Sequence, residues 1–267
     1  MKMNKKQFGL LLVTFFTLLT LLSGVMFVRQ YMDSKNSNEN FEQLEEMVEE
    51  IPESTEEALE SFEAEEELSE EELDAVERAA AMEKYGELFK KNNDFMGWIF
   101  IEGTQVNYPV MQTPHHPDYY LKKNFDKEYS DYGVPYLEEA CAVGISNNIV
   151  IYGHHMNDGS MFADLVNHYD NDYRDEHPLI QFDTISGFGT YEVVAAFKFD
   201  TNNETFRYNE YVTMDEEDFK EFMTEVLKRQ AYDTGIDVEY GDELLTLSTC
   251  EYTYKNGRFV VVAKKVE

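Results

Sequence analysis

Residues 246–265 read TLSTCEYTYKNGRFVVVAKK, and this stretch predicts two strands joined by a short turn. Apolar and β-branched residues run up to Cys250, and a second apolar run begins at Arg258. The intervening segment 255–257, Lys-Asn-Gly, predicts the turn. If the two strands pair antiparallel across this loop, Cys250 and Arg258 emerge at the same rim of a sheet.

A pair of histidines follows another predicted strand, in the stretch IVIYGHHM. His154 and His155 come directly after Gly153, which is again a rim position. A thiol with a pKa near 8.5 is mostly protonated at neutral pH, so it needs a basic or cationic neighbour before it attacks carbon. A rim that holds Cys250, a histidine and Arg258 would provide a nucleophile, a general acid and base, and a fixed positive charge.

Short runs of β-branched and aromatic residues continue after Phe95, and they predict a mostly β fold of the barrel or sandwich kind. Helices are predicted at two places. Residues 79–91 form an alanine-rich helix in front of the first strand, and residues 215–230 form a longer amphipathic helix before the cysteine-bearing strand. The apolar face of the longer helix consists of Phe219, Phe222, Met223, Val226 and Leu227.

The N-terminal segment has a different composition. Residues 8–28 carry no charge and are long enough, as a helix, to cross the roughly 30 Å hydrocarbon layer of a membrane. A cleaved signal peptide is the competing interpretation, but its apolar region spans about 7 to 15 residues and ends in a small-residue site, which SGVMFVRQ lacks. Lysines at 2, 5 and 6 precede the apolar segment, so the positive-inside rule predicts a cytoplasmic N-terminus and an extracellular remainder.

Negative charge dominates the rest of the chain, which has a formal net charge of -32 over 267 residues. Residues 29–78 are rich in glutamate and too polar to bury a core, which indicates a solvated spacer. This charge also disfavours nucleic-acid binding, because phosphates are repelled. The predicted organisation is a cytoplasmic tail at 1–7, a transmembrane anchor at 8–28, an acidic extracellular stalk or linker at 29–78, and a catalytic domain at 79–267.

Taken together, these motifs resemble the sortases. TLSTC, with Arg258 downstream and YGHHM upstream, is similar to the family pattern of TLxTC with a later arginine and a histidine after glycine. Three further features resemble the class B branch: NYPVM at 107–111, the YGHHM segment that continues to Phe162, and the long helix at 215–230. The resemblance covers about residues 79–267. It implies an eight-stranded sortase-type β-barrel with N-terminal helices and a long helix before the cysteine-bearing strand, preceded by a single transmembrane helix.

The resemblance also implies a chemistry, that of a cysteine transpeptidase. Cys250 would attack the threonine carbonyl of a sorting signal near the C-terminus of a secreted protein and form a thioester. His154, the histidine directly after glycine, would protonate the departing amine, and Arg258 would stabilise the oxyanion. An amine of a cell-wall peptide or lipid-linked precursor of a Gram-positive envelope would resolve the thioester, without a metal or other cofactor. The family pattern further implies substrate contacts from Asn107, Met111, Thr201 and Ser248.

Several alternatives stay open at this point. A pilin-polymerising sortase would use a lysine of another protein as acceptor, water as acceptor would give hydrolysis, and a catalytically silent surface module would only bind. A metal site at the histidine pairs 115–116 and 154–155 is disfavoured, because adjacent residues on a strand point to opposite faces. The local signature of a papain-like cysteine is missing. A disulfide between Cys141 and Cys250 would abolish the nucleophile, and we interpret Cys141 as a spare thiol.

Overall fold

The computed structural model describes residues 5–48, 69–202 and 205–266 of the chain. The chain divides into two compact units, residues 1–42 and residues 43–267. Helix α1 (Lys5–Glu46) contains all the described residues of the first unit. The second unit contains the β-sheet and the other helices.

Helix α1 is long and apolar enough to cross a membrane, with a mean hydropathy of 2.4 over its most apolar stretch. A helix suits hydrocarbon because it satisfies its own backbone hydrogen bonds. The hydroxyls of Thr14, Thr17 and Thr20 also donate to backbone carbonyls four residues earlier, at 2.8 to 2.9 Å. The helix continues beyond the predicted span at 8–28 as far as Glu46, so the first part of the predicted stalk is helical.

Helix α2 (Glu70–Lys91) begins well before the predicted start at residue 79. The Glu72 carboxylate accepts hydrogen bonds from the backbone N–H of Ser69 at 3.0 Å and from its hydroxyl at 2.8 Å. A serine followed three residues later by glutamate is the pattern of a capping box, and it accounts for the earlier start. The remainder of the predicted stalk, residues 49–68, lies outside the described residues.

Within the described part of the chain, eight strands close into a barrel in the order β1-β2-β3-β4-β7-β8-β6-β5. Two neighbouring pairs, β2 with β3 and β4 with β7, are parallel, and the other pairs are antiparallel. The predicted mostly β fold, an eight-stranded barrel, is confirmed. The strands are β1 (Phe95–Phe100), β2 (Asn107–Met111), β3 (Tyr136–Leu137), β4 (Asn148–Tyr152), β5 (Leu179–Thr184), β6 (Thr190–Asp200), β7 (Leu244–Glu251) and β8 (Gly257–Lys265).

Strands β3 and β5 do not correspond to any of the apolar runs in the sequence. Side chains of β5 alternate between the two faces of the sheet, with Ile180 and Phe182 buried and Leu179 exposed. Polar residues at the alternate positions therefore interrupt the apolar run. β3 has only two residues, and its pairing with β2 and β4 defines it. The connections contain α3 (Asn171–Glu176) and short 3-10 helices at Tyr119–Lys122, Ala163–Tyr169 and Tyr208–Glu210.

Helix α4 (Glu216–Arg229) is the predicted long helix before the cysteine-bearing strand. The Asp215 carboxylate caps it by accepting two backbone N–H groups of the first turn, at 2.9 and 3.0 Å. Four of the five predicted face residues are buried in one cluster with β6, β7 and β8: Phe219, Phe222, Met223 and Val226. Leu227, the fifth residue of the predicted face, is 43% exposed.

Candidate active site

Cys250 and Arg258 face each other across the β7–β8 pair, as the sequence predicts. Residues directly opposite on antiparallel strands carry their side chains on the same face of the sheet, and both of these residues are half-buried. The connecting turn closes through a hydrogen bond from the Gly257 N–H to the Tyr254 carbonyl at 3.1 Å. Asn256 has a φ of 64°, a left-handed conformation that asparagine tolerates.

The parallel pairing of β4 with β7 positions His154 near Cys250 and Arg258. Tyr152 pairs with Ser248, and the Gly153 N–H extends the ladder by donating to the Ser248 carbonyl at 3.1 Å. Two positions beyond this pair, His154 and Cys250 line one cleft together with Tyr152 and Ser248. The alignment thus brings the histidine beside the thiol-bearing strand end.

The environment of the His154 imidazole favours its neutral form. Burial lowers its pKa below the ordinary 6.5, and the charge of Lys122 acts in the same direction. A hydrogen bond from Nε2 to the Leu121 carbonyl, at 2.7 Å, and the charge of Asp131 oppose the decrease. Since a carbonyl only accepts, Nε2 carries the proton in the neutral ring.

We expect His154 to titrate below pH 6.5 in the folded protein. Histidines of the unfolded chain titrate near 6.5 and so bind the proton more readily, which means that acidification through this range lowers the free energy of unfolding. The measurement is the ring-proton NMR shift of His154 against pH, with and without urea, assigned by the signal lost in His154→Asn. A folded-state midpoint at or above 6.5 would contradict the assigned environment.

A cleft of about 360 Å³ lies where these strand ends meet, and we call it the Cys250 cleft. Cys250, His154 and Arg258 line it together, and so do two of the four predicted substrate contacts, Thr201 and Ser248. Its remaining lining residues are Pro117, Asp118, Leu121, Tyr136, Glu138, Tyr152, Gly153, Tyr208, Asn209 and Thr249.

The other two predicted substrate contacts, Asn107 and Met111, lie on β2 and do not line the Cys250 cleft. Met111 is fully buried. The side-chain oxygen of Asn107 accepts a hydrogen bond from the Trp98 indole N–H at 2.6 Å. In this structure both side chains therefore support the barrel wall.

Three tyrosines of the cleft were missed in the sequence. The Tyr136 hydroxyl donates to Asp118 at 2.6 Å, and that of Tyr152 donates to Glu138 at 2.5 Å. The Tyr208 hydroxyl lies 2.7 Å from the Ser248 hydroxyl. Burial raises the pKa of all three phenols, so they remain protonated hydrogen-bonding groups. Only Tyr152 had a usable sequence signal, since it stands two residues before His154 on the same strand face.

The two cysteines are free thiols in very different surroundings. Cys141 is buried, and its sulfur accepts a hydrogen bond from the Val150 N–H at 3.3 Å. Burial raises the pKa of the Cys141 thiol to about 11. Cys141 is not among the residues that line the Cys250 cleft.

We expect iodoacetamide to label Cys250 and to spare Cys141 in the folded protein. Alkylation requires a thiolate that the reagent can reach. Cys141 is buried, and its raised pKa keeps it protonated. Peptide mass spectrometry after a short exposure at about pH 7.5 measures the two sites separately. The control is the urea-unfolded chain, in which both cysteines should react. Equal labelling of the two thiols in the folded state would show that the assigned burial is wrong.

Comparisons with known proteins agree with this architecture. The family model described as Sortase domain matches residues 99–266. Sortase B of Listeria monocytogenes is 34% identical over 183 residues, which cover 67% of this chain and 73% of the relative. Sortase B of Staphylococcus aureus is 26% identical over 268 residues, 99% of each chain. The solved complex of Staphylococcus aureus sortase B with substrate superposes with a TM-score of 0.69 at 26% identity, covering 88% of this chain and 99% of the other.

Proposed function

The chain belongs to the sortase family and to its class B branch, and we propose that it is a membrane-anchored cysteine transpeptidase of the cell surface. The single observation that carries the proposal is the cleft lined jointly by Cys250, His154 and Arg258. The proposed substrate is a secreted protein with a sorting signal near its C-terminus. The proposed acceptor is an amine of a cell-wall peptide or of its lipid-linked precursor.

In the proposed acylation step, the neutral His154 ring takes the proton of the Cys250 thiol, and the resulting thiolate adds to the carbonyl carbon of the threonine in the sorting signal. The carbon–nitrogen bond then breaks while His154 gives a proton to the departing nitrogen. The acyl group is now held as a thioester, which retains much of the free energy of the peptide bond. An incoming amine attacks this thioester, His154 takes up the released proton, and Cys250 leaves as a thiolate.

Arg258 is proposed to stabilise the negative charge that develops on the carbonyl oxygen during both steps. Its position directly opposite Cys250 on the paired strand supports this role. Fixed positive charge in a partly desolvated cleft acts more strongly on such an oxyanion than it would in water. Ser248 and Thr201, which line the same cleft, are proposed to contact the substrate.

Helix α1 supports an anchor at the proposed span 8–28. We propose that residues 1–7 are cytoplasmic and that the barrel, together with α2 before it, is extracellular. This orientation follows from the lysines that precede the span. It would bring the Cys250 cleft to the surface where secreted proteins and lipid-linked precursors meet.

The test uses the full-length chain in detergent with quenched peptides of the NPxTx, SPxTG, PPxTG and LPxTG types. Each peptide is assayed alone, with an oligoglycine amine, and with a lysine whose α-amine is blocked. Cleavage with an amine-linked product, identified by mass spectrometry, supports transpeptidation, and the preferred amine separates a cell-wall acceptor from a pilin lysine. Cleavage without capture of either amine would favour hydrolysis. A lack of cleavage across all four motifs would count against the proposal.

A further inference from the structure

His155 contacts the backbone of the residue that carries the proposed nucleophile. Its Nδ1 lies 3.2 Å from the Cys250 carbonyl oxygen. Its ring packs edge-on against Tyr252, with the ring centroids 5.2 Å apart, and the Tyr252 hydroxyl donates to the His155 carbonyl at 3.2 Å. Three contacts therefore join His155 to Cys250 and Tyr252.

The His155 ring stands where the β4–β7 ladder would continue. In a parallel ladder, the main-chain donors of one strand come from every second residue. The Gly153 N–H donates to the Ser248 carbonyl, so the next acceptor along β7 is the Cys250 carbonyl and the next donor position along β4 is residue 155. At that position the imidazole Nδ1, a side-chain atom, meets the carbonyl.

This contact links the two proposed reactive side chains through a single residue. A peptide unit is planar, so a donor on the Cys250 carbonyl fixes the orientation of the peptide plane next to the thiol-bearing carbon. On the other side, His154 is the chain neighbour of His155, and its own carbonyl accepts the Phe162 N–H at 2.8 Å. The His155 contact therefore connects the backbone beside His154 to the backbone of Cys250.

We propose that His155 is a positioning residue for transpeptidation. In its neutral ring, Nδ1 carries the proton and donates to the Cys250 carbonyl, which holds the thiol at a fixed place relative to the His154 imidazole. This inference rests on the proposed function, in which Cys250 is the nucleophile and His154 the acid and base. It assigns His155 no contact with the substrate.

The first test is the tautomer of His155, which does not depend on activity. Full-length chain with ¹⁵N-labelled histidine is studied in detergent by NMR, at a pH high enough that the ring signals no longer shift. The signals of His155 are those absent from His155→Asn. We expect the proton on Nδ1. A neutral ring with its proton on Nε2 would overturn the proposal, because a bare Nδ1 cannot donate to a carbonyl.

The second test compares His155→Asn with His155→Leu. The asparagine amide nitrogen is as many bonds from the backbone as Nδ1 is, so it can restore the donor, whereas leucine has similar bulk and no donor. We expect leucine to lower kcat about 10-fold with KM unchanged, and asparagine to stay within about threefold of the wild type. His155→Gln, whose amide lies one bond further out, should behave like leucine. Thermal unfolding of each variant monitors the fold.

Equal losses in the asparagine and leucine variants, or a change in KM alone, would overturn the positioning role. Failure of the proposed function gives a different result. In that case the wild type itself would show no Cys250-dependent turnover, and the tautomer would decide whether the hydrogen bond exists.

Discussion

Replacement of Cys250 by alanine is expected to abolish peptide cleavage and amine transfer, with a loss in kcat of at least about 10⁴-fold. The nearest hydroxyl on the same face of β7, that of Ser248, cannot take over, because an unactivated serine hydroxyl is a weak nucleophile and this oxygen is hydrogen-bonded to Tyr208 at 2.7 Å. The fold should survive, since Cys250 is half-buried near the end of a strand and alanine preserves the backbone. The assay is the quenched peptide with its amine acceptor, and thermal unfolding should change by only a few degrees.

Cys141→Ala is the matched control for this experiment, because it also removes one thiol. It should retain full turnover, since Cys141 is buried and does not line the cleft. Its melting temperature should fall more than that of Cys250→Ala, because a buried sulfur that accepts the Val150 N–H is lost. Clear cleavage by Cys250→Ala, or loss of turnover in Cys141→Ala, would place the nucleophile elsewhere.

The β7–β8 hairpin could be predicted because every signal for it is local. The turn residues at 255–257 fix the loop, and the loop length fixes the register that sets Cys250 opposite Arg258. The capping box of α2 is equally local. The apolar spacing that predicts a helix from residue 79 begins later than the polar residues at 69 and 72 that start the helix.

The position of His154 depends on a contact that sequence spacing does not encode. No local sequence signal indicates that β4 pairs parallel with β7. The position of His154 nevertheless depends on this pairing, through the register that sets Tyr152 beside Ser248. The apolar run before Gly153 predicts a rim position for both His154 and His155, and only the family resemblance distinguishes between them. The structure gives the two rings different partners, the Leu121 carbonyl for one and the Cys250 carbonyl for the other.

The walls of the Cys250 cleft were the least predictable part of the site. Tyr136 and Glu138 come from β3 and the residue after it, and a two-residue strand has no periodicity to detect. Asn107 and Met111 show the converse difficulty. A motif marks their place on β2, but the packing of neighbouring strands decides whether a side chain on a barrel strand faces the core or the cleft.

Replacement of Arg258 by lysine is expected to lower kcat/KM by about 10² to 10³-fold, although the positive charge remains. The guanidinium is held in place, since Nη1 donates to the Gly257 carbonyl at 3.0 Å and the side chain is half-buried opposite Cys250. A lysine ammonium is a compact point charge on a flexible chain, and it cannot both keep that bond and present a planar fork to an oxyanion. The measurement is single-turnover acylation with the peptide that the wild type prefers.

Two further variants serve as controls for this prediction. Arg258→Gln keeps a planar amide but loses the charge, and it should be impaired at least as severely as lysine if the oxyanion needs both charge and geometry. Arg207→Lys makes the same chemical change at an exposed position outside the cleft and should leave acylation unchanged. Near-normal acylation by Arg258→Lys would mean that only the charge matters. Near-normal acylation by both Arg258 variants would remove the arginine from the mechanism.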